Sequence, residues 1–66
     1  MIDWLETAPG FYVAATTDSH LAVGLTAFGT YSWLLSRGRR AVTGGNVATL
    51  DEAKAAAIRS LDVKVG

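Results

Sequence analysis

The 66-residue sequence contains no cysteine and only one proline. Without cysteine, neither a disulfide framework nor a cysteine-ligated metal can supply the extra stability that short chains often need. Charge is also scarce, at 18% of the residues against about 25% in an average globular domain. Because half of the residues are hydrophobic, the chain nevertheless has enough apolar surface to fold.

The charges that are present balance, six basic against six acidic. A neutral chain is unlike a protein whose affinity comes mainly from nucleic-acid phosphates. The length fits a single domain over residues 1–66. A domain this small hides only about 60% of the surface of its unfolded chain, so a binding partner would add stability.

The uncharged segment from Ser19 to Ser36, followed by arginines, has the outline of a short membrane span. Its alternation with a period of two favours strands instead. The first nine residues carry Asp3 and Glu6 and show no basic start typical of a secretory signal. We therefore expect a cytoplasmic protein with no membrane segment.

Turn-forming residues divide the first two thirds of the chain into candidate strands. These strands are expected at Phe11–Thr16, His20–Ala27, Tyr31–Ser36 and Arg40–Thr43, with Gly44 and Gly45 ending the last one. Residues 1–9 are expected to form either an edge strand or a loose arm. The sequence thus predicts an antiparallel sheet of three or four strands.

A helix is predicted from a capping box at Thr49 and Glu52, in which each residue satisfies a backbone amide of the other. The alanine-rich run that follows should stay helical to about Leu61. The face expected to dock on the sheet comprises Leu50, Ala53, Ala57, Ile58 and Leu61. The predicted fold class is therefore α+β, with one C-terminal α-helix packed on one face of the sheet.

The predicted strand phases leave the opposite sheet face uncovered. The residues expected to face the helix are Phe11, Val13, Leu21, Val23, Leu25, Tyr31, Trp33 and Leu35. Those expected on the other face are Tyr12, Ala14, Thr16, His20, Ala22, Gly24, Thr26, Ser32, Leu34 and Ser36. This second set carries no formal charge, whereas a solvated antiparallel face normally carries Lys and Glu. It suits contact with another surface, although its Ser and Thr are also polar enough to face water.

Few residues suggest chemistry. Asp18, Ser19 and His20 are the residue types of a hydrolase triad, but triads assemble from residues distant in sequence, so a turn followed by an edge histidine is the better interpretation. One histidine with scattered carboxylates does not match a metal site. The glycine pair before the helix lacks the lysine of a phosphate-binding loop. We predict no catalytic residue, no metal and no cofactor, and do not expect an enzyme.

The one electrostatic feature is a turn carrying Arg37, Arg39 and Arg40. Three guanidinium groups can bind phosphates or pair with carboxylates on another protein. A turn that only keeps the chain soluble would look the same.

Several features are shared with other short proteins: Trp4, Gly10 with Tyr12 and Ala14, Tyr31-x-Trp33, a Gly-Arg turn, Ala41-x-x-Gly44, and the run from Thr49 through Glu52 to Ala56. Over residues 4 to 61 the chain resembles a loose class of very short bacterial and phage-associated proteins that end in a strand hairpin, an A-x-G-x-A-x-T-x-x-E-A pattern and a helix. The spacing departs from that pattern at residues 44–47. The resemblance implies a fold and offers no functional residue.

The sequence therefore favours a non-enzymatic protein-interaction module. The resemblance adds the expectation of a phage or mobile-element accessory protein that inhibits or adapts a larger host complex, for example an anti-defence inhibitor. The partner, another protein or a second copy in a homodimer, is expected to bind Tyr12, His20, Ala22, Leu34, Arg37, Arg39 and Arg40. The alternative is a small nucleic-acid-binding regulator that uses the arginine turn.

Overall fold

The computed structural model describes residues 2–61, in which an antiparallel sheet carries one helix on one face. The elements are β1 (Leu5–Ala8), β2 (Phe11–Ala15), β3 (Ser19–Leu25), β4 (Tyr31–Arg37), β5 (Arg40–Val47) and α1 (Leu50–Ser60). Each strand pairs with its neighbour in sequence, in the order β1-β2-β3-β4-β5. The predicted α+β class is confirmed. The described sheet has five strands rather than three or four, because residues 5–8 pair with β2 as an edge strand.

Two tight turns rest on glycines with positive φ. Pro9 presets the first residue of the β1–β2 turn and Gly10 follows at φ 83°, the pattern of a type II turn. Gly38, at φ 63°, opens the two-residue turn between β4 and β5, where a positive first φ suits the twist of a hairpin.

The sequence predicted that Gly44 and Gly45 end the last strand, and this prediction was wrong. They lie opposite Leu34 and Trp33, and β5 continues to Val47. A Cβ at Gly45 would lie only 3.2 Å from Trp33 Nε1, so the missing side chain makes room for the indole ring. These glycines serve packing within the strand rather than a turn.

The hydrophobic core lies between the sheet and the helix. Its buried centre is Ala14, Leu21, Leu35 and Ala57, with Ile2, Trp4, Trp33, Val42 and Leu61 packed around it. Val42 is the extra residue of a bulge in β5, where the register shifts between Leu35 and Ser36. The bulge thus adds one more apolar side chain to the core.

The helix begins at the predicted cap, with Thr49 accepting a hydrogen bond from the Glu52 amide at 3.2 Å. Of the two predicted bonds of the capping box, this is the one that forms. Its buried residues are Ala53, Ala57 and Ser60. Ile58, expected on the docking face, is 41% exposed. Because it follows Ala57 by one residue, it points about 100° away around the helix axis.

Within residues 2–61, no helix is long and apolar enough to cross a membrane.

Candidate functional site

The face of β2 that is turned to the helix differs from the prediction. Ala15 pairs with His20, which sets Ala14 opposite Leu21 on the helix side. Since side chains alternate along a strand, Tyr12 also lies on the helix side. Phe11 and Val13 therefore lie on the uncovered face, and the predicted positions of all these β2 side chains were inverted.

The uncovered face, called the free face below, is defined by the strand register. It comprises Leu5, Ala8, Phe11, Val13, Ala15, His20, Ala22, Gly24, Ser32, Leu34, Ser36, Ala41, Gly44 and Asn46. None of these fourteen residues is Asp, Glu, Lys or Arg. His20, Ala22 and Leu34 lie there as predicted, and Asp3 borders the face at its margin.

Large apolar side chains stand exposed on the free face. The exposed fractions are 65% for Leu5, 46% for Phe11, 37% for Val13 and 42% for Leu34. The Phe11 ring lies across Gly24, where an added Cβ would come within 2.9 Å of two ring carbons. Because Phe11 and Val13 lie on the free face in place of Tyr12 and Ala14, this face is more apolar than the sequence predicted.

The side chains of the free face differ in height and leave shallow depressions between them. One row of directly paired residues crosses the whole sheet: Leu5, Val13, Ala22, Leu34 and Gly44. Two shallow depressions, of about 450 and 300 Å³, both border Val13 and Ala22. The short Ala22 side chain therefore forms a notch between the taller Val13 and Leu34.

The arginine turn is divided by the fold. Arg37 donates from Nε to Ser19 Oγ at 3.1 Å and from Nη2 to the Leu61 carbonyl at 3.4 Å. It is half-buried on the helix side, because the register sets it opposite the fully buried Ser19. Only Arg39 and Arg40 are exposed at the tip. A surface formed by all three guanidinium groups is therefore not present.

The consecutive Asp18, Ser19 and His20 do not form a triad. Ser19 Oγ donates to Asp18 Oδ1 at 3.1 Å and is buried on the helix side. His20 is exposed on the opposite face, so the imidazole lies away from the hydroxyl. Among residues 2–61, no group of three His, Asp or Glu side chains could hold a metal ion.

A polar cluster lies at the β1–β2 edge on the helix side. Lys54 Nζ lies 4.4 Å from the centre of the Tyr12 ring and 5.7 Å from the centre of the Trp4 ring. A hydrogen bond to the Glu6 carboxylate raises the pKa of Tyr12 above its usual 10.0, and desolvation acts in the same direction. Tyr12, a predicted partner-binding residue, is thus engaged within the chain.

One exposed aromatic residue, Phe28, was not predicted from the sequence to be a binding residue. Phe28 is 91% exposed at the tip of the β3–β4 loop. The loop is closed by a hydrogen bond from the Thr26 amide to the Thr30 carbonyl and by a second between the two threonine hydroxyls, both 2.8 Å. The turn residues around Phe28 could have predicted its exposure from the sequence, because a large apolar residue at the tip of a turn has few neighbours to pack against.

Comparison of the chain with protein-family models, curated proteins and solved structures finds no match.

Proposed function

We propose that this protein is a non-catalytic interaction module that binds a protein surface through its free face. The observation that carries the proposal is the apolar character of that face. Leu5, Phe11, Val13 and Leu34 are each more than one-third exposed, and the face has no charged residue. Contiguous apolar surface on a small protein is typical of an interaction site.

The shape of the face supports a protein partner rather than a small ligand. Its two depressions are shallow and open along the sheet, whereas small-molecule sites enclose most of their ligand. The absence of guanidinium and ammonium groups disfavours phosphate binding at the same face. An apolar sheet face with only shallow depressions instead suits a second packed layer, as in sheet-on-sheet packing.

The more specific role of a phage or mobile-element accessory inhibitor rests on the resemblance alone and adds the class of partner: a subunit of a larger host complex.

The nucleic-acid alternative would depend on Arg39 and Arg40, since Arg37 is already bonded within the fold. Two phosphate contacts would give a shallow salt dependence, with a slope of about two.

Site-specific photo-cross-linking in the producing cell tests the proposal. Ala15 on the free face and Ala55 on the outer side of the helix are both exposed alanines, so each can carry a benzoylphenylalanine as a matched pair. We expect protein cross-links from position 15 and few from position 55. Val13→Glu, which places a carboxylate on the face, should abolish them. Equal products from both positions, or products that survive Val13→Glu, would contradict the proposal.

A further inference from the structure

We infer that the partner seated on the free face is a second copy of this chain, packed about a two-fold axis that runs between β3 and β4. This inference rests on the proposed function, since it names the occupant of the same face. It is carried by the order of tall and short side chains in the row that crosses the sheet.

Tall and short side chains alternate along this row, so the row is complementary to a second copy of itself in the reverse order. Across the four strands from β2 to β5 it presents Val13, Ala22, Leu34 and Gly44, with Ala22 and Leu34 directly paired at the centre. A rotation of 180° about an axis parallel to the strands, midway between β3 and β4, turns one face onto the other and reverses this order. Each tall side chain then meets a short one.

Two kinds of contact follow from that rotation. Leu34 of each copy lies over Ala22 of the other, so a side chain that is 42% exposed in the single chain enters the partner's notch. Val13 of each copy lies over Gly44, which has no side chain to oppose it. Because one two-fold axis satisfies both contacts twice, the interface is isologous and closed.

The neighbouring row that contains His20 and Ser36 is compatible with the same axis. His20 and Ser36 are directly paired on either side of it, so His20 of one copy would lie over Ser36 of the other. An imidazole and a hydroxyl can exchange a hydrogen bond. No like charges meet, because the free face has no charged residue.

The available area is that of a modest dimer. The axis between β3 and β4 leaves β1 beyond the partner's β5, so four strands of each copy overlap. Four strands, spaced about 4.8 Å apart and about six residues long, cover about 19 Å by 20 Å, or about 380 Å² per copy. Two copies together bury about 800 Å², the size of a weak, transient interface. A weak dimer that forms only at high protein concentration is therefore expected.

Sedimentation equilibrium of the full chain, from about 1 μM to about 500 μM, measures the association. We expect the average mass of the parent to rise from the chain mass toward twice that mass as the concentration increases. Ala22→Leu fills the notch and Leu34→Ala removes the side chain that enters it, so each should weaken association about tenfold or more. The double variant moves the tall side chain across the axis and should recover most of the loss.

Matched controls are available on the helix. Ile58 is 41% exposed, nearly the same as Leu34, and Ala55 is an exposed alanine outside the free face. Ile58→Ala and Ala55→Leu should leave the association unchanged. Circular dichroism on every variant establishes that the single chain remains folded.

The outcomes separate this inference from the proposed function. A parent that stays monomeric at about 500 μM while position 15 cross-links to a different protein would overturn the second copy and leave the proposed function standing. No association and no cross-link would overturn both. A dimer whose double variant is no tighter than the weaker single variant would overturn the two-fold packing.

Discussion

Arg37 Nε donates to the fully buried Ser19 Oγ at 3.1 Å, from β4 to the neighbouring central strand β3. The same guanidinium group reaches the carbonyl of Leu61, just beyond the helix. A cation at a helix C-terminus is favourable because the last carbonyls carry partial negative charge. This one side chain therefore joins β3, β4 and the end of α1.

Replacement of Arg37 by Ala should lower the free energy of unfolding by about 1–3 kcal/mol, because a buried hydroxyl and a terminal carbonyl both lose a donor. Arg39→Ala is the matched control, since that side chain is exposed at the same turn. Its loss should change stability by less than about 0.5 kcal/mol. Urea unfolding curves measure both, and equal effects would mean that Arg37 contributes no more than an exposed turn residue.

The part of the fold that sequence could predict was the part fixed by local chemistry. The helix start at Thr49 follows from a capping box, which needs only the residues three positions apart. The class of sheet follows from alternation and turn residues. The role of Arg37 was not predictable in this way, because its partners Ser19 and Leu61 are 18 and 24 residues away.

The prediction of which β2 side chains face the helix was wrong because the pairing of β2 with β3 differs by one residue from the expected pairing. A hairpin that paired Thr16 with His20 would set Val13 opposite Val23 and turn it toward the helix. The observed register pairs Ala15 with His20 instead. The β2–β3 loop is closed by a hydrogen bond from the Thr16 amide to the Ser19 carbonyl at 2.8 Å. A slip of one residue reverses every side chain of a strand, so this loop decides which side chains form the free face.

Thr49→Ala should destabilise the protein by about 1 kcal/mol, because the Glu52 amide loses its acceptor at 3.2 Å. Thr49→Ser retains the oxygen and should restore most of that stability. Thermal unfolding followed by the helical circular dichroism signal compares the two variants. If Ser and Ala at this position behaved alike, the capping bond would have no role.

Trp33→Ala should lower the free energy of unfolding by about 2–3 kcal/mol, less than the roughly 3–5 kcal/mol of a fully buried aromatic residue, because the ring is only half-buried. Gly45→Ala tests the same contact from the opposite strand. Its Cβ would press on the indole at 3.2 Å from Nε1, so a smaller destabilisation is expected. In the double variant the added methyl no longer meets a ring, and its cost should vanish. Strictly additive losses would show that Gly45 does not act through Trp33.

Tyr12 should ionise above pH 10.0, because its phenol is hydrogen-bonded to the Glu6 carboxylate and phenolate would lie beside a second negative charge. The folded-state pKa exceeds the unfolded one, so the stability from this pair is complete below pH 10 and is lost as the pH rises through the folded pKa.

Absorbance titration of tyrosinate measures this shift. The difference between the parent and Tyr12→Phe isolates one phenol, and its midpoint should lie above 10.0. Glu6→Gln removes the negative charge while keeping an oxygen that can accept the hydrogen bond. The Tyr12 midpoint should therefore move down toward 10.0 in this variant. Because the folded and unfolded pKa values then lie closer together, the part of the alkaline loss of stability that comes from Tyr12 should become smaller than in the parent. A midpoint at or below 10.0 in the parent, or one that Glu6→Gln leaves in place, would show that the carboxylate does not control the phenol.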